Sequence, residues 1–148
     1  MRYMQEALRL ARLAWDEGEV PVGAVIVRDG EIIASGYNKK EGSRDATMHA
    51  EIVALREAYK ALNDWRLDGC TVYVTLEPCA MCAGAIIASR PDALIFGAYD
   101  KEAGCCGSVF DLICSSLSDI KLAGGFMEEE CSALLEGFFR EKRASSVK

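Results

Sequence analysis

The chain has 148 residues, of which 51% are hydrophobic and 27% are charged, and its formal net charge is −6. This composition excludes a disordered chain and suits one folded domain over residues 1–148. No apolar run approaches the roughly 20 residues that cross a bilayer, and charged side chains between Arg9 and Glu19 interrupt the N-terminal segment. We therefore expect a cytoplasmic protein with no membrane partner.

The N-terminal part of the chain predicts a helix followed by a β-hairpin. Apolar side chains recur at helical spacing over residues 4–15, which predicts an amphipathic helix ending near Gly18. Residues 22–27 and 32–35 form two short apolar runs that are joined across Asp29-Gly30. An Asp-Gly pair between two such runs is a strong hairpin signal.

The middle of the chain alternates between helix and strand. Residues 37–47 are polar and rich in turn-forming residues, which predicts a loop. A second helix follows, capped by Thr47 or a near neighbour, and its apolar stripe comprises Ile52, Leu55, Tyr59 and Leu62. Residues 71–76 predict a strand that Pro78 ends. Residues 79–89 predict a third helix, because proline suits the start of a helix.

The C-terminal part predicts two more strands and two more helices. Residues 93–96 predict a strand, residues 110–114 a short helix, and residues 121–126 a final strand. The last helix has a buried stripe formed by Cys131, Leu134, Leu135 and Phe138. The order of the elements predicts an α/β fold with one mixed five-stranded sheet and helices on both of its faces.

Two short motifs supply a set of metal ligands. The first is His49-Ala50-Glu51, and the second is Pro78-Cys79-Ala80-Met81-Cys82. Three protein ligands, an open position for water and a nearby carboxylate are typical of a catalytic zinc, whereas a structural zinc is normally closed by a fourth Cys or His. The chain contains one histidine, so an imidazole ligand must be His49.

The spacing within each motif predicts how the site is built. Cys79 and Cys82 are three residues apart at the first turn of a helix, so both sulfurs lie on one face. The N-terminus of that helix lowers thiol pKa values and favours the thiolates that a metal requires. His49 and Glu51 are two residues apart and can both reach a metal only at the start of their helix. We therefore expect a zinc between two helix N-termini.

The chemistry of such a site suggests a role for Glu51. Zinc lowers the pKa of its bound water towards roughly 7 and so supplies a hydroxide nucleophile. A carboxylate ligand would occupy the open position, so we assign Glu51 as the acid/base that moves protons to the ring nitrogen and the leaving amine. The alternative for Glu51 is an ordinary exposed helix residue. The combined motifs resemble the signature of the zinc-dependent nucleobase deaminases, and this resemblance implies hydrolytic deamination of a nucleobase without choosing between cytosine, adenine and guanine.

The other five cysteines are interpreted more simply. In a chain without a signal peptide a disulfide framework is not expected. Small, buried residues are the ordinary interpretation for Cys70, Cys105, Cys106, Cys114 and Cys131. One alternative stays open, because the adjacent Cys105-Cys106 pair could close a fourth zinc position.

The net charge of −6 leaves RNA binding open, because binding depends on local patches. Arg140, Lys142 and Arg143 form a basic segment near the C-terminus, and Lys39, Lys40 and Arg44 form a weaker one. The acidic excess lies elsewhere, for example in residues 128–130.

Further segments of the chain carry a family resemblance. They are Glu19-Val20-Pro21-Val22-Gly23-Ala24, Asn38, Trp65-Arg66-Leu67, the run from Thr75 to Ala85, and Phe138-Phe139-Arg140. Together with the zinc motifs they resemble the bacterial tRNA-specific adenosine deaminases over nearly the whole chain. The resemblance implies a three-layer α/β/α cytidine-deaminase-like fold, one zinc ion per subunit and a homodimer.

The reaction implied by the resemblance is conversion of the wobble adenosine of an arginine tRNA anticodon to inosine. Zinc-bound hydroxide would attack carbon 6 of the flipped adenine, with Glu51 as the proton shuttle. His49, Cys79 and Cys82 look like the zinc ligands of this family. The partner is then a tRNA anticodon stem-loop, and DNA is not expected.

The resemblance also assigns residues to the substrate. Asn38 resembles the family residue that hydrogen-bonds the flipped purine, Ala50 offers its backbone N–H to the base, and Val20 resembles an apolar wall of the pocket. Without the resemblance, an Asx turn is the alternative for Asn38.

Two adjacent phenylalanines near the C-terminus receive different interpretations. Phe138 falls on the apolar stripe of the last helix and is expected in the core. Phe139 is offset by about 100° and is a candidate for stacking on an anticodon base. Arg140, Lys142 and Arg143 look like a phosphate-contacting tail, with ordinary solvation of a helix as the alternative.

One segment departs from the family pattern. The family usually has Pro-Thr-Ala before its His-Ala-Glu, whereas this chain has Ala46-Thr47-Met48. Loss of the proline loosens the start of the helix, and Met48 adds bulk beside a zinc ligand. Pocket shape and substrate preference are the properties that this departure affects.

Two other functions remain as alternatives. A free-base or nucleotide deaminase acting on guanine or cytosine would use the same zinc site without needing the basic C-terminal helix. A non-catalytic structural zinc module would have four protein ligands and would not need Glu51.

Overall fold

A mixed five-stranded sheet lies at the centre of the described structure, a computed structural model that covers residues 1–115 and 118–146. The elements in chain order are α1 (Arg2–Asp16), β1 (Gly23–Arg28), β2 (Glu31–Tyr37), α2 (Lys40–Ser43), α3 (Ala50–Leu62), β3 (Cys70–Leu76), α4 (Ala80–Ser89), β4 (Ala93–Ala98), α5 (Leu112–Ser115), β5 (Lys121–Ala123) and α6 (Glu128–Ser146).

The strands lie in the order β2-β1-β3-β4-β5. β1 pairs antiparallel with both β2 and β3, while β3, β4 and β5 run parallel. The two helices that carry the zinc motifs, α3 and α4, precede and follow β3 in the chain. The mixed sheet predicted from the order of the elements is confirmed.

The alternation of side chains along β1 shows the three layers of the fold. Ala24 and Ile26 are buried in one core cluster with residues of α3 and α4. Val25 and Val27 are buried in a second cluster with residues of α1 and α6. Because successive side chains of a strand point to opposite faces, one strand contributes to both cores. Helices therefore cover both faces of the sheet, as predicted.

The hairpin between β1 and β2 turns at Asp29-Gly30, as predicted. Both residues have positive φ, 51° for Asp29 and 77° for Gly30. Two positive φ angles match the right-handed twist of the strands, and aspartate and glycine adopt them at low cost.

The prediction of an uninterrupted loop over residues 37–47 is wrong. β2 continues through Tyr37, and residues 40–43 form the short helix α2. The buried carboxylate of Glu19 accepts hydrogen bonds from the backbone N–H groups of Glu41 and Gly42 at 2.9 and 2.7 Å. This support comes from a residue distant in the chain, so polar composition alone could not indicate the helix.

Two C-terminal elements differ from prediction in their bounds. The short helix begins at Leu112 rather than residue 110, and Asp111 accepts a hydrogen bond from the N–H of Cys114 at its start. The last strand ends at Ala123 rather than residue 126, and the N–H groups of Gly125 and Phe126 bond to carbonyls of the β4 region instead. Within residues 1–115 and 118–146, no helix combines the length and the apolar character needed to cross a membrane.

Candidate active site

The N-termini of α3 and α4 bring three metal-ligating side chains together. His49 and Cys79 are the N-cap residues of these two helices, and Cys82 lies in the first turn of α4. Nδ1 of His49 lies 3.7 Å from Sγ of Cys79 and 3.6 Å from Sγ of Cys82. The prediction that the two motifs meet at two helix N-termini is confirmed.

The separations between these atoms fit a zinc ion. A tetrahedral zinc lies roughly 2.3 Å from a sulfur ligand and 2.0 Å from a nitrogen ligand, which places the sulfur and the nitrogen about 3.6 Å apart. The ligand atoms of His49, Cys79 and Cys82 lie within 4.8 Å of one another, and they form the single such group among the described residues. Two thiols and one imidazole are the donor set of a catalytic zinc with an open position.

Hydrogen bonds among the three ligand side chains favour the thiolate form of Cys79. A hydrogen bond from the Cys82 thiol, reinforced by one from His49, lowers the pKa of Cys79 to about 3. The pKa of Cys82 is raised, because Cys82 is the donor in that bond and is buried. The hydrogen bond to Cys79 also raises the pKa of His49. A thiolate beside an imidazole at two helix N-termini is suited to bind a divalent cation.

Glu51 lies in the first turn of α3 and is buried, with 4% of its surface exposed. Burial raises its pKa to about 7, and the nearby charge of Cys79 adds to the effect. Glu51 is not part of the group of ligand atoms formed by His49, Cys79 and Cys82. Its position beside that group, rather than in it, is what an acid/base requires. The interpretation of Glu51 as an exposed helix residue is wrong.

Cys105 and Cys106 are buried behind the site and do not join its ligands. Among the residues described, neither belongs to the group formed by His49, Cys79 and Cys82. Burial raises the pKa of Cys105, and that of Cys106 to about 12. The geometry therefore does not support a fourth ligand from this pair.

A cavity of about 200 Å³ opens beside the three ligands. It is lined by Val20, Val22, Asn38, Lys40, His49, Ala50, Glu51, Leu76, Glu77, Cys79, Asp100 and Ala103. Apolar walls with a few polar groups are typical of a small-molecule pocket. The structure thus brings three sequence candidates, Val20, Asn38 and Ala50, to the same cavity as Glu51.

Asn38 presents an unpaired acceptor at this cavity. Its side-chain Nδ2 donates to the carbonyl of Val20 at 3.3 Å, and that bond sets the orientation of the amide. Its Oδ1 is buried and, among the described residues, has no hydrogen-bond partner. A buried polar atom without a partner costs free energy, so a ligand donor is the expected partner. The recorded bond is not that of an Asx turn.

Ala50 offers a donor at the same cavity. It is the first residue of α3 and is fully buried. The first N–H groups of a helix have no partner within the helix, so the N–H of Ala50 is available to a ligand.

Met48 does not line the cavity, although it adjoins His49 in the chain. Its sulfur lies 3.5 Å from Nη1 of Arg56, and its carbonyl accepts a hydrogen bond from the N–H of Lys39. The backbone N–H and the hydroxyl of Thr47 both donate hydrogen bonds to Oδ1 of Asp45, in the segment before α3. Met48 is therefore not among the described lining residues of the cavity, and its effect on substrate preference stays a prediction.

A wider groove continues from the cavity to α6. Val20, Leu76 and Asp100 line both, so the two spaces share a wall. On the α6 side the groove is lined by Ser132, Leu135, Glu136, Phe139, Lys142, Arg143 and Ser146. Phe139, with 43% of its surface exposed, therefore lies on a surface that leads to the zinc ligands.

The two phenylalanines occupy the environments that their positions predict. Phe138 is 5% exposed and packs edge-on against Trp15 of α1, with ring centroids 5.5 Å apart. Nε1 of Trp15 also donates to Glu141 at 3.1 Å. These contacts fix the rotation of α6 and turn Phe139 outward.

Some of the basic residues predicted to contact RNA line the cavity or the groove, and others line neither. Lys142 and Arg143 line the groove, and Lys40 lines the cavity. Arg140 is exposed on α6 but is not among the described lining residues of either space, so its contact with RNA stays a prediction.

Sequence reasoning missed several lining residues, among them Leu76, Glu77 and Asp100. The run from Thr75 to Ala85 already contained Leu76 and Glu77, and a buried position directly before Pro78 was the available signal. Asp100 carries no motif, and only the fold brings it to the cavity.

Residues 1–98 match the family model described as "Cytidine and deoxycytidylate deaminase zinc-binding region". The tRNA-specific adenosine deaminase of Bacillus subtilis (strain 168) is 47% identical over 143 residues, which cover 95% of this chain and 89% of the relative.

Two solved structures place the fold among deaminases. One comes from a study of A-to-I editing by tRNA:A34 deaminases at the wobble position of transfer RNA. It is 40% identical, has a TM-score of 0.88, and the match covers 90% of this chain and 99% of that one. The other is a guanine deaminase from Bacillus subtilis, 38% identical with a TM-score of 0.65, matching 80% of this chain and 70% of that one.

Proposed function

This chain belongs to the cytidine and deoxycytidylate deaminase family and, within it, to the tRNA-specific adenosine deaminases, and from this membership we propose that residues 1–148 act as one domain that converts the wobble adenosine of a tRNA anticodon to inosine. The single observation that carries the proposal is the shared wall between the zinc-ligand cavity and the Phe139 groove. The cavity, as the pocket for the flipped base, is then continuous with the groove, as the surface for the neighbouring nucleotides.

His49, Cys79 and Cys82 hold the zinc, which when bound supplies an activated water at neutral pH. Glu51 takes one proton from the attacking water and delivers it to N1 of the adenine. It then transfers the second proton of that water, from the new hydroxyl group on carbon 6, to the departing amine. Its buried position gives it a pKa near neutrality, so it can both accept and donate a proton. The products are inosine and ammonia, and no redox cofactor is needed.

Asn38 and Ala50 orient the base at carbon 6. Oδ1 of Asn38, which has no hydrogen-bond partner among the described residues, accepts a hydrogen bond from the purine, while the N–H of Ala50 donates one. Val20 and Leu76 exclude water from the faces of the ring. Both polar groups are fixed before the substrate binds, which lowers the entropy cost of orientation.

The groove along α6 holds the neighbouring nucleotides. Phe139 stacks on an anticodon base, and Lys142 and Arg143 neutralise phosphates. Nζ of Lys142 lies 5.7 Å from the ring of Phe138, so its stem is partly ordered by the core.

Four finer features belong to the same proposal. Arginine tRNA is the substrate and the cytoplasm the location, both in keeping with the family resemblance. The single His/Cys/Cys group of the described residues supports one zinc ion per subunit. A homodimer is supported by the exposed apolar neighbours Val109 and Phe110, which are 42% and 66% exposed. Sedimentation equilibrium of the zinc-loaded protein measures its mass directly, and a monomer at micromolar concentration would contradict the dimer.

The experiment that tests the function measures inosine in an arginine tRNA anticodon stem-loop after incubation with zinc-loaded protein. We expect inosine at the wobble position and none with Glu51→Ala. A DNA copy of the stem-loop tests the preference for RNA, because it lacks the 2′-hydroxyl groups.

The guanine deaminase relative supports one alternative, a free-base enzyme with the same zinc chemistry. Adenosine, cytidine, cytosine and guanine are therefore assayed in parallel for ammonia. Ammonia from a free base, with no inosine in RNA, would contradict the tRNA proposal and retain the deaminase chemistry. RNA binding that survives Glu51→Ala, with no inosine or ammonia from any substrate, would instead support a non-catalytic zinc module.

A further inference from the structure

One buried carboxylate joins the segment before the zinc ligands to a distant loop. Glu77, 2% exposed, lies two residues before Cys79. Its Oε1 accepts hydrogen bonds from the N–H of Asp100 at 3.0 Å and from the hydroxyl of Ser108. Its Oε2 accepts from the N–H groups of Cys106 and Ser108 at 3.0 and 3.1 Å. Four donors from residues 100–108, which we call the 100–108 loop, thus meet one side chain.

The loop is closed tightly around this carboxylate. A Cβ atom at Gly104 would lie 2.4 Å from Cδ of Glu77, so the backbone approaches as closely as glycine permits. The N–H of Cys105 also donates to the carbonyl of Pro78 at 2.9 Å. The 100–108 loop is therefore attached at two adjacent points to the start of the ligand-bearing segment.

The same loop supplies one wall of the substrate cavity. Asp100 and Ala103 line it together with residues of the 38–51 segment. Among the described residues between β4 and β5, α5 is the only helix or strand, so the 100–108 loop has little secondary structure to hold it. A buried carboxylate is costly unless its oxygens are saturated, and here they are.

We propose that Glu77 is a positioning residue that sets the distance between the zinc ligands and the Asp100–Ala103 wall of the substrate cavity. Glu77 itself borders the cavity, but the four hydrogen bonds of its carboxylate among the described residues all go to the 100–108 loop, and it acts through that loop. The substrate in this inference rests on the proposed function, whereas the attachment of the loop does not.

Three variants separate positioning from general stability. Glu77→Gln keeps the shape but replaces one acceptor oxygen by an NH₂ group, so two of the four donors lose their partner. Ser108→Ala removes only the hydroxyl donor and keeps the backbone N–H. Glu31→Gln is the matched control, because Glu31 is an exposed carboxylate in β2 outside the site.

Each variant is tested in three measurements. These are the zinc content, the kcat and KM on the stem-loop, and the hydrogen exchange of the amides of Asp100, Cys106 and Ser108. For Glu77→Gln we expect full zinc content, KM raised about tenfold with kcat reduced less, and faster exchange of the three amides. Ser108→Ala shows the same changes at a smaller size, and the control shows none.

Two results would overturn the proposal. Unchanged KM together with unchanged amide exchange in Glu77→Gln would mean that the loop is held without the carboxylate. Reduced kcat at unchanged KM with loss of zinc would mean that Glu77 supports the metal site rather than the wall. If the wild-type protein deaminates another nucleobase instead of tRNA, the proposed function fails, and amide exchange with kinetics on that substrate still decides the role of Glu77.

Discussion

The inner site and the outer groove differ in how their residues are held. His49, Cys79 and Cys82 sit at the ends of helices packed in the core, and Glu51 is 4% exposed. Phe139 is 43% exposed, and Lys142 and Arg143 are exposed on the last helix. Preorganised, buried groups suit chemistry, whereas exposed aromatic and basic side chains suit a large polyanion. Variants of the inner site should therefore lose zinc or the chemical step, whereas variants of the outer groove should lose RNA affinity.

The largest effect is expected at a zinc ligand. Cys82→Ala removes one of three ligands, so zinc affinity and activity should both fall below detection. Metal content by atomic emission and inosine formation are measured together. Cys114→Ala is the matched control, because Cys114 is exposed and does not belong to the ligand group. If Cys82→Ala retained both zinc and activity, the assignment of Cys82 as a zinc ligand would be wrong.

The next effect is expected at the acid/base. Glu51→Gln should lower kcat by about 10²–10⁴-fold while zinc content stays full, because proton transfer is lost and the ligands are kept. Single-turnover rates with bound stem-loop measure the chemical step. Glu57→Gln on the exposed side of the same helix should match the wild type. A loss of zinc in Glu51→Gln would instead assign this residue to the metal.

A smaller effect is expected at the groove aromatic. Phe139→Ala should weaken stem-loop binding about tenfold, since stacking of a base on an aromatic ring is worth roughly 1–3 kcal/mol. Zinc content and the single-turnover rate at saturating RNA should stay near those of the wild type. Phe126→Ala is the control, because Phe126 is 40% exposed but not among the groove residues described. An equal loss in both variants would contradict specific stacking.

The smallest effect is expected from the groove cations. The double variant Lys142→Gln/Arg143→Gln should weaken binding several-fold and reduce the slope of log K against log salt by about 1 per charge. Titrations at several salt concentrations measure that slope. Arg9→Gln/Lys60→Gln removes the same charge from exposed ion pairs elsewhere and should leave the slope unchanged. Equal slopes in both double variants would show that only net charge matters.

Local patterns predicted most of the elements and failed where distant residues intervene. The helical period of α6 correctly separated a buried from an exposed position, as Phe138 and Phe139 illustrate. The helix α2 was missed, because the carboxylate of Glu19 supports it from outside the segment. Asp100 was missed for the same reason, since its place at the cavity depends on the attachment of the 100–108 loop.

The sequence by itself determined the donor set and its chemistry. Cys79 and Cys82 share a face because they are three residues apart on one helix, and the single histidine left one choice of imidazole. These properties depend on spacing along a few residues, so a pattern can encode them.

Tertiary structure alone decided three further properties. It brought His49 within 4 Å of both sulfurs, buried Glu51 until its pKa rose to about 7, and left Oδ1 of Asn38 without a partner among the described residues. Each depends on helices and strands packed across one sheet from segments far apart in the chain. Burial and distance across such packing are properties of the assembled core, which no local pattern contains.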